Sequence, residues 1–348
     1  MERMTKGARP AGTRRNSQLS GTACAETARL DLLHRFTPTP HVTDLLLMQR
    51  TVRLETNNEA VLALVLKFFE RHQHERTGQP EFVWRIVCEP DPKVESTGVP
   101  LAAFSDPGLR YVNVGQRGFL SVDLDRREAT GFLSELFFRD EPRFKHRPPL
   151  DILFCMSAAS LGFVALSAGC AGSEDRGVLV FGPPNSGKTT ASYLSAKLGM
   201  EFHADQVVFL EMWGGVLRAW GDPFPAVFRL ETLEFLPELR ESCRLSTYAG
   251  VSFYYYDKSA LQSRWAKPFA PLCSLFLDRS SVGEPQLEQI SPEDAASRLH
   301  SYMLFGEDCR FSAQIVDAIS ALAALPAYTL KYDSDPRIAA ALIRRMLP

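Results

Sequence analysis

The feature that most constrains this chain is an eight-residue segment, Gly-Pro-Pro-Asn-Ser-Gly-Lys-Thr, running from Gly182 to Thr189. It fits G-x-x-x-x-G-K-[ST], with a short apolar strand (177–181) before it and a helix beginning at Lys188 and ending near Leu198 after it. That context is what phosphate binding requires. Glycines let the backbone turn so that several N–H groups converge on phosphate oxygens. The N-terminus of the following helix adds the positive end of its dipole. Lys188 supplies a compact charge for the terminal phosphates, and the Thr189 hydroxyl is placed to hold Mg²⁺. The nucleotide-binding set is therefore Gly182, Asn185, Ser186, Gly187, Lys188, Thr189 and Thr190, with ATP and Mg²⁺ as the implied cofactors.

Phosphoryl transfer also needs a group that takes or orients the acceptor proton. Asp205 stands just beyond the loop helix, in FHADQVVFLE, at the mouth of a new strand. A carboxylate there can reach the γ-phosphate and share the metal with Thr189. His203 lies two residues earlier, and in an extended backbone both side chains point to one face. Asp205 and His203 are the candidate catalytic residues. A second carboxylate, Asp278, closes the apolar run LCSLFLD at 272–278. Arg229, Arg240 and Arg244 could stabilise transferred charge.

The rest of the chain divides around a basic, proline-bearing segment at 141–150. Residues 1–40 read as a disordered tail, 41–145 as a small α+β domain, and 150–348 as the domain that carries the loop. In the first domain, 45–55 and 82–88 read as strands, and 59–72 as an amphipathic helix. Residues 109–114 and 118–122 read as a hairpin turning at 115–118, and 128–138 as a second helix. Residues 152–173 carry no charge over 22 positions, long enough for a membrane span. Their four serines and three glycines, with Gly162 dividing them, favour a buried helix followed by a strand. Residues 248–259, with four tyrosines, Phe253 and Lys258, read as a mobile acceptor-binding loop.

Charge argues against one class of function. Lys+Arg 39 minus Asp+Glu 41 gives −2, without the basic excess of a dedicated nucleic-acid binder. Seven cysteines with neither a CxxC pair nor zinc-like spacing fit reduced thiols in the cytoplasm. The expected partner is a small protein or peptide acceptor, with no nucleic acid and no membrane; a homo-oligomer stays open.

From about residue 150 the chain resembles the catalytic domain of the HPr kinase/phosphorylase family. The likeness rests on the loop, on Ala204-Asp205-Gln206 standing 22 to 24 residues after Gly182, and on later segments: GDPFPAVFR (221–229), LCSLFLDRS, ISPEDAASRL (290–299) and PAYTLKYDSDP (326–336). It implies a P-loop kinase domain like that of phosphoenolpyruvate carboxykinase, with a mixed sheet, preceded here by a small α+β domain unlike the family's usual N-terminal one. It also implies that Asp205 acts as base toward a serine hydroxyl. Two family positions differ. Ser167 stands where the kinases carry a histidine, 15 residues before Gly182, and Gln206 replaces their second aspartate. No segment matches the glycine-rich signature that accompanies phosphorylase activity. The implied activity is thus an ATP-dependent kinase without phosphorylase activity; a metabolite kinase of the same fold and a catalytically impaired ATP-binding module are the alternatives.

Overall fold

The computed structural model describes residues 37–69, 79–90, 102–106, 108–113, 118–135, 150–248, 251–258, 261, 267–279, 284–305, 311–333 and 335–347. The expected tail up to residue 36, turn residues 115–117, the basic segment 141–149 and residues 280–283 beyond Asp278 lie outside them. Pro38–Pro348 form one compact unit. The architecture is α/β with mixed sheets.

The first sheet comprises β1 (His41–Leu47), β2 (Arg50–Thr56), β3 (Phe82–Glu89), β4 (Ala102–Asp106), β5 (Leu109–Asn113), β6 (Gly118–Asp123) and β7 (Glu128–Ser134). Its seven strands lie in the order β1-β2-β3-β7-β6-β5-β4. β3 pairs parallel with both β2 and β7, while the remaining pairs are antiparallel. Helix α1 (Glu59–Phe69) opens with Asn58, whose Oδ1 accepts from the N–H of Ala60 at 2.8 Å.

Two expectations are corrected here. The single strand expected at 45–55 is the hairpin β1–β2, which reverses through Met48 and Gln49, both at positive φ (47° and 65°). The helix expected at 128–138 is strand β7 over its first seven residues. Ala129, Gly131 and Leu133 are buried in alternation, a period of two. A Cβ on Gly131 would lie 2.8 Å from Leu120 Cδ2 on the neighbouring strand, so this glycine sets a close strand contact.

Next come α2 (Leu150–Ser157), a 3₁₀ turn (Ala158–Leu161), β8 (Val164–Ser167) and β9 (Gly169–Ser173). They account for the uncharged stretch 152–173 as buried helix and strands. Gly162, at φ +92°, separates helix from strand. Among the described residues no helix is long and apolar enough to cross a membrane. Residues on both sides of the 141–149 segment share one hydrophobic cluster, which includes Trp84, Leu120, Phe154, Phe209 and Trp220. The indole of Trp84 donates to Ser157 Oγ at 3.1 Å across it.

The remaining elements are β10 (Arg176–Phe181), α3 (Lys188–Lys197), β11 (Glu201–Ala204), β12 (Val207–Trp213), β13 (Val216–Trp220), β14 (Ala226–Phe228), α4 (Leu230–Phe235), α5 (Leu239–Ser242), β15 (Cys243–Tyr248), β16 (Val251–Tyr256), β17 (Ala270–Asp278), β18 (Gln286–Gln289), α6 (Pro292–Ser301), α7 (Ser312–Ala323), β19 (Ala327–Lys331) and α8 (Pro336–Met346). The second sheet has six strands in the order β11-β9-β10-β17-β19-β18. β10, β17 and β19 run parallel, and the others antiparallel. This explains the apolar run in β10. Leu179 and Phe181 enter one core cluster, and Val178 and Val180 the opposite one, because both sheet faces are covered. Two smaller antiparallel sheets, β13-β12-β8 and β14-β16-β15, flank this region. The stretch expected to be a mobile loop at 248–259 largely forms strand β16, paired with β14 and β15. Its consecutive tyrosines Tyr255 and Tyr256 are both buried.

Candidate functional site

The loop 182–187 joins the end of β10 to the first turn of α3. Two glycines make its path possible. A Cβ on Gly182 would collide with Ser186 Oγ, and Gly187 sits at φ +96° as the residue capping α3. Lys188 curls back over the loop. Its Nζ donates to the carbonyls of Gly182 at 2.6 Å and Pro183 at 3.1 Å. Arg279, just past β17, donates to the Asn185 carbonyl at 3.1 Å. Tyr332, just past β19, donates to the Ser186 carbonyl at 2.7 Å. The two strands that run parallel to β10 on one side of it, β17 and β19, are therefore each followed by a side chain that braces the loop.

The loop forms one wall of a cavity of about 1000 Å³. Asn185, Ser186, Gly187, Lys188, Thr189 and Thr190 line it, as do Asp205, Gln206 and Ser167. Residues up to 39 positions apart thus meet in one space: Ser167 comes from the end of β8, and Asp205 and Gln206 from the turn between β11 and β12. Arg229, Phe235 and Phe253 form the outer wall. Arg229 lies 4.7 Å over the Phe253 ring. Of the three arginines singled out in the sequence, Arg229 is on the cavity wall; Arg240 and Arg244 are exposed elsewhere. Asp278 ends β17 but does not line the cavity.

Asp205 is 1% exposed. Its Oδ2 accepts from the backbone N–H of Val227 at 3.0 Å, while Oδ1 receives no hydrogen bond among the described residues. Burial raises its pKa above the usual carboxylate range. Lys258, the Thr189 side chain and the Val227 amide oppose that rise by favouring the charged form, whereas nearby Asp222 adds to it. Burial lowers the Lys188 pKa, and the Asp205 charge partly restores it. The cavity therefore holds a cation and a carboxylate that are both partly desolvated, as reacting groups often are.

His203 takes a different place. Its ring stacks on Phe269 at 4.4 Å between centroids and lies 3.7 Å from a Glu201 carboxylate oxygen. It does not line the cavity that Asp205 lines. Strand alternation would have put the two together, but the β11–β9 register shifts between Phe202 and Ala204, at His203 itself.

Three residues that support the site were not assigned that part from the sequence, although Lys258 falls in the expected acceptor-binding loop. Asp222, Lys258 and Tyr332 are each buried. The signals for them were faint: an aspartate wedged into Gly-Asp-Pro-Phe-Pro, a lysine closing an aromatic run, and a tyrosine ending a strand.

The donors present suit a hard divalent cation. Thr189 offers a hydroxyl and Asp205 a carboxylate with an unpaired oxygen, and Mg²⁺ takes one or two such protein ligands together with phosphate oxygens and water. Among the described residues no group of three or more His, Cys, Asp or Glu forms a self-sufficient metal cage.

No protein-family model matches the chain, and no curated protein matches it. Among solved structures, an HPr(Ser) kinase/phosphatase from Coxiella burnetii superposes with a TM-score of 0.28 at 12% identity, over 52% of this chain and 94% of that one. A superposition that loose does not define a shared fold.

Proposed function

We propose that this chain is an ATP-dependent phosphotransferase that moves the γ-phosphate to a hydroxyl, a serine of a small protein or peptide. The observation that carries this reading is the single cavity shared by Lys188, Thr189 and the buried carboxylate of Asp205. The loop amides and Lys188 hold the triphosphate. A bound Mg²⁺ would be held by Thr189 and Asp205 and would offset charge on the phosphates. Asp205 accepts the proton of the acceptor hydroxyl as its oxygen bonds to the γ-phosphorus and the bond to the β-phosphate oxygen breaks, releasing ADP. Arg229 and Arg279, which line the same cavity, would meet the charge of the phosphates or of the acceptor. The domain would be a P-loop kinase domain with a phosphoenolpyruvate-carboxykinase-like mixed sheet, working in the cytoplasm where ATP is supplied.

The competing reading is a nucleotide-binding module without turnover. It rests on Ser167 and Gln206, which place uncharged side chains on the cavity wall. One experiment separates the two. Purified protein is incubated with [γ-³²P]ATP, Mg²⁺ and a lysate of the source cells. Labelling of a small protein or peptide by the wild type but not by Lys188→Ala supports the kinase. Nucleotide binding with no label in any fraction supports the module.

A further inference from the structure

Asp205 is held from behind by two charged residues that never reach the cavity. Asp222 lies in the connection from β13 to β14, and its Oδ2 accepts from the backbone N–H of Asp205 at 3.1 Å and of Gln206 at 3.5 Å. Those amides sit in the turn between β11 and β12. The second oxygen, Oδ1, accepts from the N–H of Phe224 at 3.1 Å and from Lys258 Nζ at 2.8 Å. Lys258 also donates to the backbone carbonyl of Asp222 at 3.1 Å, and its ammonium lies 5.2 Å over the Phe202 ring. Asp222 is 1% exposed and Lys258 5%.

An ion pair this deep is a costly way to fill space, since apolar residues of the same volume commonly serve stability as well or better. Its connections suggest what else it does. Lys258 stands two residues beyond the end of β16. β16 pairs with β14, placing Val227 opposite Tyr255. The N–H of Val227 in turn donates to the Asp205 side chain. These contacts form a closed circuit. It runs from the Asp205 amide to Asp222, on to Lys258, along β16 to β14, and back through Val227 to the Asp205 carboxylate. One charged contact, Lys258 to Asp222, closes it.

We propose that Asp222 and Lys258 are positioning residues, whose buried ion pair fixes the backbone at 205–206 and thereby aims the Asp205 carboxylate into the cavity. This rests on the reading of Asp205 as the proton acceptor. Because the circuit passes through β16, which carries Phe253 on the cavity wall, it also ties the aim of Asp205 to the strand that faces the acceptor.

The test uses the full chain in four forms: wild type, Lys258→Met, Asp222→Asn, and Leu239→Ala. Leu239 is fully buried in the neighbouring apolar cluster that also holds Phe202, Phe228 and Tyr256, and serves as a destabilised control for that region. Amide hydrogen exchange over residues 202–208, measured without nucleotide, reports the two held amides directly. Lys258→Met should speed exchange at Asp205 and Gln206 by about tenfold or more beyond what its loss of Tm accounts for in the control. It should lower kcat by about 10²-fold, the cost of misplacing a catalytic group by about 1 Å, while the Kd for Mg-ATP stays within about twofold. If Lys258→Met does not fold, Asp222→Asn carries the test, since it keeps an acceptor oxygen but loses the charge; exchange and kcat should then change by several-fold in the same directions. Unchanged exchange at 205–206, or changes that match Leu239→Ala at equal Tm, would show the pair to be ordinary core and overturn the proposal. If the wild type transfers no phosphate at all, the kinase reading fails. The exchange measurement still decides whether the pair holds residues 205–206.

Discussion

The Tyr332 hydroxyl, 146 residues along the chain from Ser186, donates a 2.7 Å hydrogen bond to the Ser186 carbonyl and holds the glycine loop from below. Tyr332 is fully buried, and burial pushes its pKa up to about 12. It therefore stays a neutral donor throughout the working range of pH. Tyr332→Phe keeps the ring and removes the donor, leaving a buried carbonyl unpaired. A loss of about 1–3 kcal/mol is the usual result of orphaning such a group. Chemical denaturation should show that loss, and Mg-ATP affinity should fall several-fold because the loop is no longer held in its binding shape. Unchanged affinity would mean that Arg279 and Lys188 hold the loop without help.

Lys188 donates to two loop carbonyls, Gly182 and Pro183. To serve a phosphate, it must exchange these contacts for phosphate oxygens. Lys188→Ala should weaken nucleotide binding by tenfold or more, measured by calorimetry or fluorescent-nucleotide titration. Lys188→Arg should restore little, because a planar guanidinium is wider than the ammonium and cannot take its compact place. Wild-type affinity in Lys188→Ala would remove the glycine loop as the nucleotide site.

What the sequence revealed and what it hid have separate physical causes. The loop, strand β10 and helix α3 were legible because their determinants are local: apolar residues, then turn-forming glycines, then helix formers within some twenty positions. The aim of His203 was not, since the register shift beside it turns its ring onto Phe269, and alternation cannot foresee a shift. Residues 128–134 read as helical because apolar residues three and four apart in the sequence, Ala129, Phe132 and Leu133, mimic a helix; pairing with β3 and β6 overrode that signal. The Asp222–Lys258 pair joins residues 36 positions apart and leaves no periodic trace in the chain. Its recognition needed the β14–β16 pairing.

Gln206 lines the cavity beside Asp205, and its backbone N–H points at the Asp222 carboxylate. Gln206→Asp would place a third carboxylate within this turn. Repulsion should lower Tm at neutral pH. A divalent cation shared with Thr189 and Asp205 should recover part of that loss, so the Mg²⁺-dependent rise in Tm should be larger in the variant than in the wild type. If a second carboxylate is what the wild type lacks, turnover rises as well. An unchanged response to Mg²⁺ would argue that the side chain at 206 does not face the metal.

Asp205→Asn separates chemistry from stability, because the two should move in opposite directions. General-base assistance contributes about 10²–10⁴-fold, so kcat should fall by about that factor. Mg-ATP binding should weaken far less than kcat falls, since Lys188, Thr189 and the loop amides stay in place and asparagine keeps one neutral oxygen ligand. Stability should behave otherwise. Burial raises the Asp205 pKa in the folded chain above its unfolded value, despite the opposing pull of Lys258 and Thr189. A carboxyl raised on folding favours the folded state while it is protonated, below the unfolded value of about 3.9. That advantage is lost as pH rises through the folded value, where the chain must hold a desolvated charge. Asparagine keeps an oxygen for the Val227 amide and carries no charge. The variant should therefore melt higher than the wild type near pH 8, with the difference shrinking toward pH 4. Scanning calorimetry across that range, beside single-turnover transfer at pH 7.5, tests both halves. A variant that is fully active removes Asp205 from the catalytic role. One that is inactive and also less stable at pH 8 makes Asp205 a structural partner of Val227, not a strained base.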